Sequence, residues 1–339
     1  MEGDPRRRAS LGARSTLIVL GAGIALAVAS LAWYVLADEP RAIYLDPAHA
    51  DQRVAYLQPD ADLGYAPPPG RTVRALRRRN GRVVYDVLYT IGNDGLRATP
   101  GNPHAPAFLF FGDSCAFGEG VEDDETTPVA FARALAVPGN VRNFGFHGYG
   151  PHQTVRELEV GRVDALVPNG VRHAFYSDLP AHGARAAGRA PWDVTGPRYV
   201  VDDAAAGGVR FTGPFHAAPV SWLLSAVNHI PPLRTLREIL YHRPPNAAER
   251  ELHARLLARA GALVRERFRA PLTVVHWDDG SPDDELFLAR LAELGVDFRR
   301  VSEVIPLDRR AALAIPDDGH PTPSAHLRLG LWLAHEYGR

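Results

Sequence analysis

Two widely separated stretches hold side chains that could do chemistry together. The run Ala107-Phe108-Leu109-Phe110-Phe111-Gly112-Asp113-Ser114 is apolar up to a glycine and then presents a serine. An apolar run bounded by a turn signal is predicted as a strand buried on both faces. Ser114 would then stand at a strand's carboxyl end, where open parallel sheets bind ligands. A hydroxyl is a weak nucleophile at neutral pH and needs a base beside it. Far downstream the chain reads Asp317-Asp318-Gly319-His320-Pro321. This offers an imidazole to take a proton and a carboxylate to orient it. Nucleophile, base and orienting carboxylate together are the equipment for attack on an acyl carbonyl. Cys115 is the rival nucleophile, although a lone cysteine is more often a small buried hydrophobe.

These groups act only if a fold brings them together. From residue 107 onward the pattern alternates. Strands are predicted over 107–114, 141–145, 170–176, 271–277 and 296–301, and helices over 127–135, 153–166, 247–268, 283–294 and 324–337. The 247–268 segment carries a stripe of Leu252, Leu256, Leu257, Ala260 and Leu263, with Glu249, Arg250, Glu251, Arg255 and Arg259 left for solvent. Such alternation predicts an α/β fold: a three-layer, parallel five-stranded sheet with helices on both faces and right-handed crossovers. Residues 182–245 break the pattern with Pro191-Trp192, Gly196-Pro197 and Gly207-Gly208. They form an insertion after the third strand, read either as a lid or substrate wall or as a packing appendage.

The two motifs, in this order near the two ends of an α/β pattern, resemble those of the SGNH, or GDSL-type, hydrolases. The resemblance covers about 107–339 and implies a flavodoxin-like sheet and an acyl-transfer triad of Ser114, His320 and an aspartate. Asp317 matches a D-x-x-H spacing and Asp318 a D-x-H spacing. The flexible Gly319 and the D-G-H-P form favour Asp318, with Asp317 as the alternative. Asn143-Phe144-Gly145-Phe146-His147-Gly148-Tyr149-Gly150 resembles the family's second block. It implies an oxyanion hole built from the backbone N–H groups of Ser114 and Gly148, with Gln153 as a common accompaniment. The third block normally supplies an Asn where this chain has Ser177, within Tyr176-Ser177-Asp178. A hydroxyl is a shorter donor, and His182 and Arg185 are close enough in sequence to substitute. Asn93-Asp94-Gly95-Leu96-Arg97 resembles the N-x-G-x-R lead-in of membrane-anchored members. No cofactor is expected, and no metal: His147 and His152 flank the Gly-rich loop but lack Cys or carboxylate company. The function implied is a serine esterase or deacylase acting on an ester-bearing small molecule, lipid or glycan. The alternatives are an O-acyltransferase modifying an envelope polysaccharide and a non-catalytic envelope-binding module that kept the fold.

Composition sets the remaining bounds. Of 339 residues, 23% are charged and 46% apolar, which is ordinary for a globular protein. The formal net charge of −1 gives no case for nucleic acid as a partner. Cys115 is the only cysteine, so no intrachain disulfide forms. Residues 15–37 contain no charged side chain and are long enough to cross a bilayer. Arg6, Arg7, Arg8 and Arg14 precede them, and Asp38 and Glu39 follow. That asymmetry predicts a single anchor with the N-terminus cytoplasmic and the body outside. A signal peptide cleaved after Val35-Leu36-Ala37 is the alternative. The expected division is a tail over 1–14, an anchor over 15–37, a juxtamembrane linker with short strands over 38–104 and the hydrolase-like domain over 105–339. The clearest short strand is 83–90. Arg71, Arg74, Arg77, Arg78, Arg79 and Arg82 are expected as a solvated face, or as a contact for anionic lipid or wall polymer.

Overall fold

The computed structural model describes residues 21–25, 27–28, 42–217 and 239–338. The tail over 1–14 lies outside them. So does the expected anchor, except for 21–25 and 27–28, which are helical. Among the described residues no helix is long and apolar enough to cross a membrane.

The first described layer is built from hairpins. β1 (Ile43–Asp46) pairs with β2 (His49–Arg53), β3 (Gln58–Asp60) with β4 (Gly64–Ala66), and β5 (Arg71–Arg79) with β6 (Arg82–Ile91). The order β2-β1-β5-β6 makes a four-stranded antiparallel sheet. The segment expected as a linker with short strands is therefore largely a small sheet. Its β6 follows the two-residue period of a half-buried strand: Tyr85, Val87, Tyr89 and Ile91 are buried, while Asp86 and Leu88 face out. Arg74 on β5 pairs with Asp86 at 2.5 Å on the outer face. The arginine cluster hid this strand from the sequence.

The body begins with β7 (Ala107–Gly112), followed by α1 (Ser114–Phe117), α2 (Thr127–Ala134), β8 (Asn140–Asn143), α3 (Pro151–Glu159), α4 (Arg162–Leu166) and β9 (Val171–Asp178). Next come α5 (His182–Ala186), a hairpin of β10 (Pro197–Val201) and β11 (Val209–Pro214), and the long α6 (Ala247–Phe268). The chain closes with β12 (Leu272–His276), α7 (Pro282–Glu293), β13 (Asp297–Arg300) and α8 (Pro323–Tyr337). The parallel sheet runs β13-β12-β9-β7-β8. The connection leaving β7 runs to β8 and the one leaving β9 runs the opposite way to β12, so the crevice at the switch point opens between β7 and β9.

Side chains of β7 alternate between two cores. Leu109 and Phe111 join a cluster with α3, α4, α6 and α7, while Phe108 and Phe110 join one with α2 and α8. This is the three-layer arrangement that the uninterrupted apolar run demands. The helix expected over 153–166 is two helices. Gly161, at φ 77°, turns the chain between α3 and α4. The insertion contributes α5 and the β10–β11 hairpin, both packed on α6. Its apolar patches over 221–240 fall outside the described residues, apart from 239–240.

Candidate active site

β7 ends at Gly112, where φ is 136° and a Cβ would lie 2.8 Å from the Ser177 carbonyl oxygen. Only glycine lets the two strand ends approach this closely. Asp113 then caps α1, its Oδ1 accepting from the Cys115 N–H at 3.0 Å. This presents Ser114 on the first turn of a short helix, beyond the carboxyl end of β7.

His320 arrives from the far end of the chain on a closed loop. Ala314 and Pro321 pair as an antiparallel bridge, and the Ile315 N–H donates to the His320 carbonyl at 2.7 Å. Inside the loop Asp317 and Gly319 take φ of 61° and 99°, which folds Asp318 back onto His320. His320 Nε2 lies 2.8 Å from Ser114 Oγ. Its Nδ1 is hydrogen-bonded to Asp318 Oδ1, which also accepts from the His320 backbone N–H at 3.1 Å. The other carboxylate oxygen of Asp318 lies 2.5 Å from an Arg77 guanidinium nitrogen. Asp317 points outward, largely exposed and 3.6 Å from Arg79. Of the two candidate carboxylates, Asp318 is the one brought to the histidine. Arg77, expected on a solvated face, instead turns inward to the site.

Sequence reasoning missed Glu119. Its Oε2 stands 2.6 Å from His147 Nδ1 and 3.5 Å from His320 Nε2, and Tyr85 donates to its Oε1 at 3.0 Å. Burial works against the Glu119 anion, but His320 and His147 outweigh it and hold the carboxyl well below its usual range. Burial likewise works against a charged His320. The carboxylates of Glu119 and Asp318 overcome that and push it up to about 9. Glu119 opens an acidic stretch continuing through Glu122, Asp123, Asp124 and Glu125, and nothing in its spacing marks it. The buried Arg97 fastens this loop. It donates to the carbonyls of Phe117 at 2.8 Å and Val121 at 2.7 Å and pairs with Asp123 at 3.1 Å. The rival nucleophile Cys115 has its thiol pushed well above the usual range, chiefly by burial and further by Asp113. It is not a thiolate at neutral pH.

The Gly148 loop is clamped from two sides. Tyr65 donates its hydroxyl to the His147 carbonyl at 2.8 Å, and Trp192 Nε1 donates to the Gly148 carbonyl at 3.2 Å. Gly148 has φ 71°, and a Cβ there would meet Trp192 Nε1 and lie 2.9 Å from Tyr65 Oη. Among the described residues, the N–H groups of Ser114 and Gly148 donate to no backbone carbonyl. Gln153 braces the loop by accepting from the Gly150 N–H at 2.8 Å and donating to Asp193 at 2.9 Å. His152 is buried against the same Asp193 at 2.7 Å. Ser177 sits opposite Gly112 in the β7–β9 register, and its Oγ accepts from Trp277 Nε1 at 3.2 Å. Its own O–H remains available as a donor.

His182 and Arg185, named as substitute oxyanion donors, are engaged elsewhere. Arg185 donates to Asp113 Oδ2 at 2.9 Å and to the Tyr149 carbonyl at 2.7 Å. His182 Nε2 lies 3.3 Å from the same Asp113 oxygen. The buried Asp113 carboxylate needs a positive partner, and Arg185 supplies it from behind the nucleophile, with His182 beside it. Two groups of metal-capable side chains occur among the described residues. In one, Glu119, Asp318 and His320, both ring nitrogens of the histidine already face Ser114 and Asp318. The other is Asp178, His182 and His253, all buried.

No protein-family model matches the chain, and no curated protein matches it. Solved structures of G-D-S-L-type lipolytic proteins and esterases are similar to it. A lipolytic protein of the G-D-S-L family from Veillonella parvula shares 16% identity over 68% of this chain and 97% of its own, with a TM-score of 0.40. An aryl esterase from M. smegmatis shares 13% identity over 68% of this chain and 98% of its own, at 0.37. An acetyl xylan esterase from Butyrivibrio proteoclasticus shares 12% over 69% and 64%, also at 0.37.

Proposed function

We propose that this chain is a serine ester hydrolase of the SGNH type. The observation that carries the reading is the contact of Ser114 Oγ with His320 Nε2 at 2.8 Å, with Asp318 on the opposite ring nitrogen. Ser114 Oγ attacks the ester carbonyl carbon while its proton passes to His320 Nε2. The developing oxyanion takes hydrogen bonds from the N–H groups of Ser114 and Gly148 and from the Ser177 hydroxyl. The bond to the alcohol then breaks, and His320 returns its proton to the leaving oxygen. Water attacks the acyl-Ser114 ester while His320 takes its proton, and collapse releases the carboxylic acid as His320 returns that proton to Ser114 Oγ. Asp318 holds the imidazole tautomer and stabilises the imidazolium throughout. The substrate is an ester-bearing small molecule, lipid or glycan. The arginines before 15–37 and the acids after it support an anchored enzyme with this domain on the outer face.

The test is hydrolysis of a short-chain aryl ester together with labelling by a fluorophosphonate. Ser114→Ala should lower turnover by about 10³-fold or more and abolish labelling, with the fold intact. Cys115→Ala should retain both. A folded Ser114→Ala protein with full activity, or loss of labelling confined to Cys115→Ala, overturns the reading. Acyl transfer to an added glycan in place of hydrolysis would assign the same site to O-acyl transfer.

A further inference from the structure

Behind the nucleophile, on the far side of Asp113, three histidines converge on one carboxylate. His182 Nδ1 and His253 Nε2 both approach Asp178 Oδ1, at 2.9 and 2.7 Å. His276 Nδ1 approaches Asp178 Oδ2 at 2.7 Å. The four residues come from separate elements: Asp178 from the end of β9, His182 from α5, His253 from α6 and His276 from β12. All four are buried. The donor atoms of Asp178, His182 and His253 lie within 4.8 Å of one another.

We propose that Asp178, His182 and His253 form a binding site for a divalent transition metal. Two imidazoles and a carboxylate are a donor set that suits zinc and iron(II). The surrounding shell fits. A ligating imidazole normally presents its other nitrogen to a carboxylate, and a ligating carboxylate is itself held by a hydrogen bond. Here His182 Nε2 stands 3.3 Å from Asp113 Oδ2, and His276, anchored on Asp284 at 2.7 Å, grips Asp178. The tautomer of His182 gives the sharper argument. A neutral imidazole that donates from Nδ1 to Asp178 turns the lone pair of Nε2 toward the Asp113 carboxylate. Nε2 is buried and has no hydrogen-bond partner. A metal on Nδ1 moves the proton to Nε2, where it faces Asp113. An imidazolium would meet the same contacts, as would an Nε2–H tautomer whose Nδ1 accepts from the Tyr176 hydroxyl at 3.0 Å, so a bound metal is to be separated from a wholly hydrogen-bonded cluster. Metal–donor bonds of about 2.0–2.1 Å in a tetrahedron put donors about 3.3 Å apart. Binding therefore opens the cluster by roughly half an ångström. A cavity of about 350 Å³ lined by His253, Asp284, Tyr241 and Pro245 abuts the cluster on its His253 side. The metal would touch no substrate. It would position Asp113, and through it the turn that carries Ser114.

The test uses the full chain in mild detergent, first assayed for bound metal, then stripped with a chelator and titrated with zinc. About one zinc per chain should bind, with the unfolding midpoint rising by about 5 °C at zinc well above its Kd. His253→Gln and Asp178→Asn should each abolish that binding, while His335→Gln on the exposed face of α8 should keep it. A folded wild-type chain that binds no zinc and melts unchanged overturns the proposal and leaves the cluster wholly hydrogen-bonded. Undiminished zinc binding in a folded His253→Gln protein overturns it too, by placing the metal elsewhere. If the Asp178 variant does not fold, the wild-type titration still decides. None of these readouts depends on Ser114 chemistry, so this proposal and the hydrolase reading stand or fall separately.

Discussion

Asp317 and Asp318 are adjacent in sequence but differ in everything that surrounds them. Asp318 is buried between His320 and Arg77, whereas Asp317 faces solvent near Arg79. Removing the orienting charge from a triad histidine costs up to about 10⁴-fold in turnover in other enzymes. Asp318→Asn should therefore lose at least about 10²-fold, and Asp317→Asn should stay near wild type. Steady-state kinetics on folded proteins decides this, and the reverse ranking would remove Asp318 from its role. In the proposed reaction Glu119 sets the pH range, because its charge is the chief group raising the His320 pKa. His320 must be neutral to accept a proton, and its pKa is raised to about 9. The rate with a neutral ester should therefore climb with pH, pass half its maximum near 9 and level above that. Glu119→Gln deletes a charge 3.5 Å from Nε2, so the climb should move to lower pH. A pH profile of kcat/KM that does not move would show that Glu119 is electrically remote from the base.

The elements around the site were not all expected to serve it. The small sheet reaches the site through Arg77 on β5, which meets an Asp318 side chain wholly withdrawn from solvent. Breaking a buried ion pair by removing one partner costs about 3–5 kcal/mol in general. Arg77 keeps some solvent contact, so Arg77→Met should cost nearer the lower end, about 3 kcal/mol. It should also lower turnover, because Asp318 would lose the group that holds it against His320. Thermal melting and turnover measured together check this. If both were unchanged, the sheet would be an independent appendage. The Gly148 loop is held by the same principle from the other side, with Tyr65 of β4 and Trp192 of the insertion closing on it.

At the scale of the whole molecule, stability should fall on the alkaline side. Glu157 lines a cavity of about 540 Å³ between the β3–β4 hairpin and the body. Burial pushes its carboxyl up to about 8 from an ordinary 4.5. A folded-state pKa above the unfolded value favours the protonated form in the fold. The stabilisation is therefore whole below about 4.5 and is lost as pH rises through about 8. His320, raised to about 9, adds a loss of the same sign at higher pH. Glu157→Gln removes the first of these, so its melting temperature should stay flatter than wild type between pH 5 and about 8. Parallel slopes for the two proteins would mean that Glu157 ionises freely in the fold.

The sequence by itself determined the five strands of the parallel sheet and most of the long helices of the body, because a wholly apolar run and a period of 3.6 are local facts of side-chain order. It also determined which residues could react. Ser114 at a strand end and His320 beside two aspartates are legible from type and order together with the family resemblance. Only the tertiary structure decided between Asp317 and Asp318, since backbone turns at Asp317 and Gly319 aim one inward and the other out. Glu119, Arg77 and the Asp178 cluster were illegible for a related reason. Each gains its meaning from partners distant in sequence: His320 for Glu119, Asp318 for Arg77, and His253 and His276 for Asp178. A charged residue in a polar stretch reads as solvated. Only packing shows that it has left water, and a charge that has left water must meet a partner.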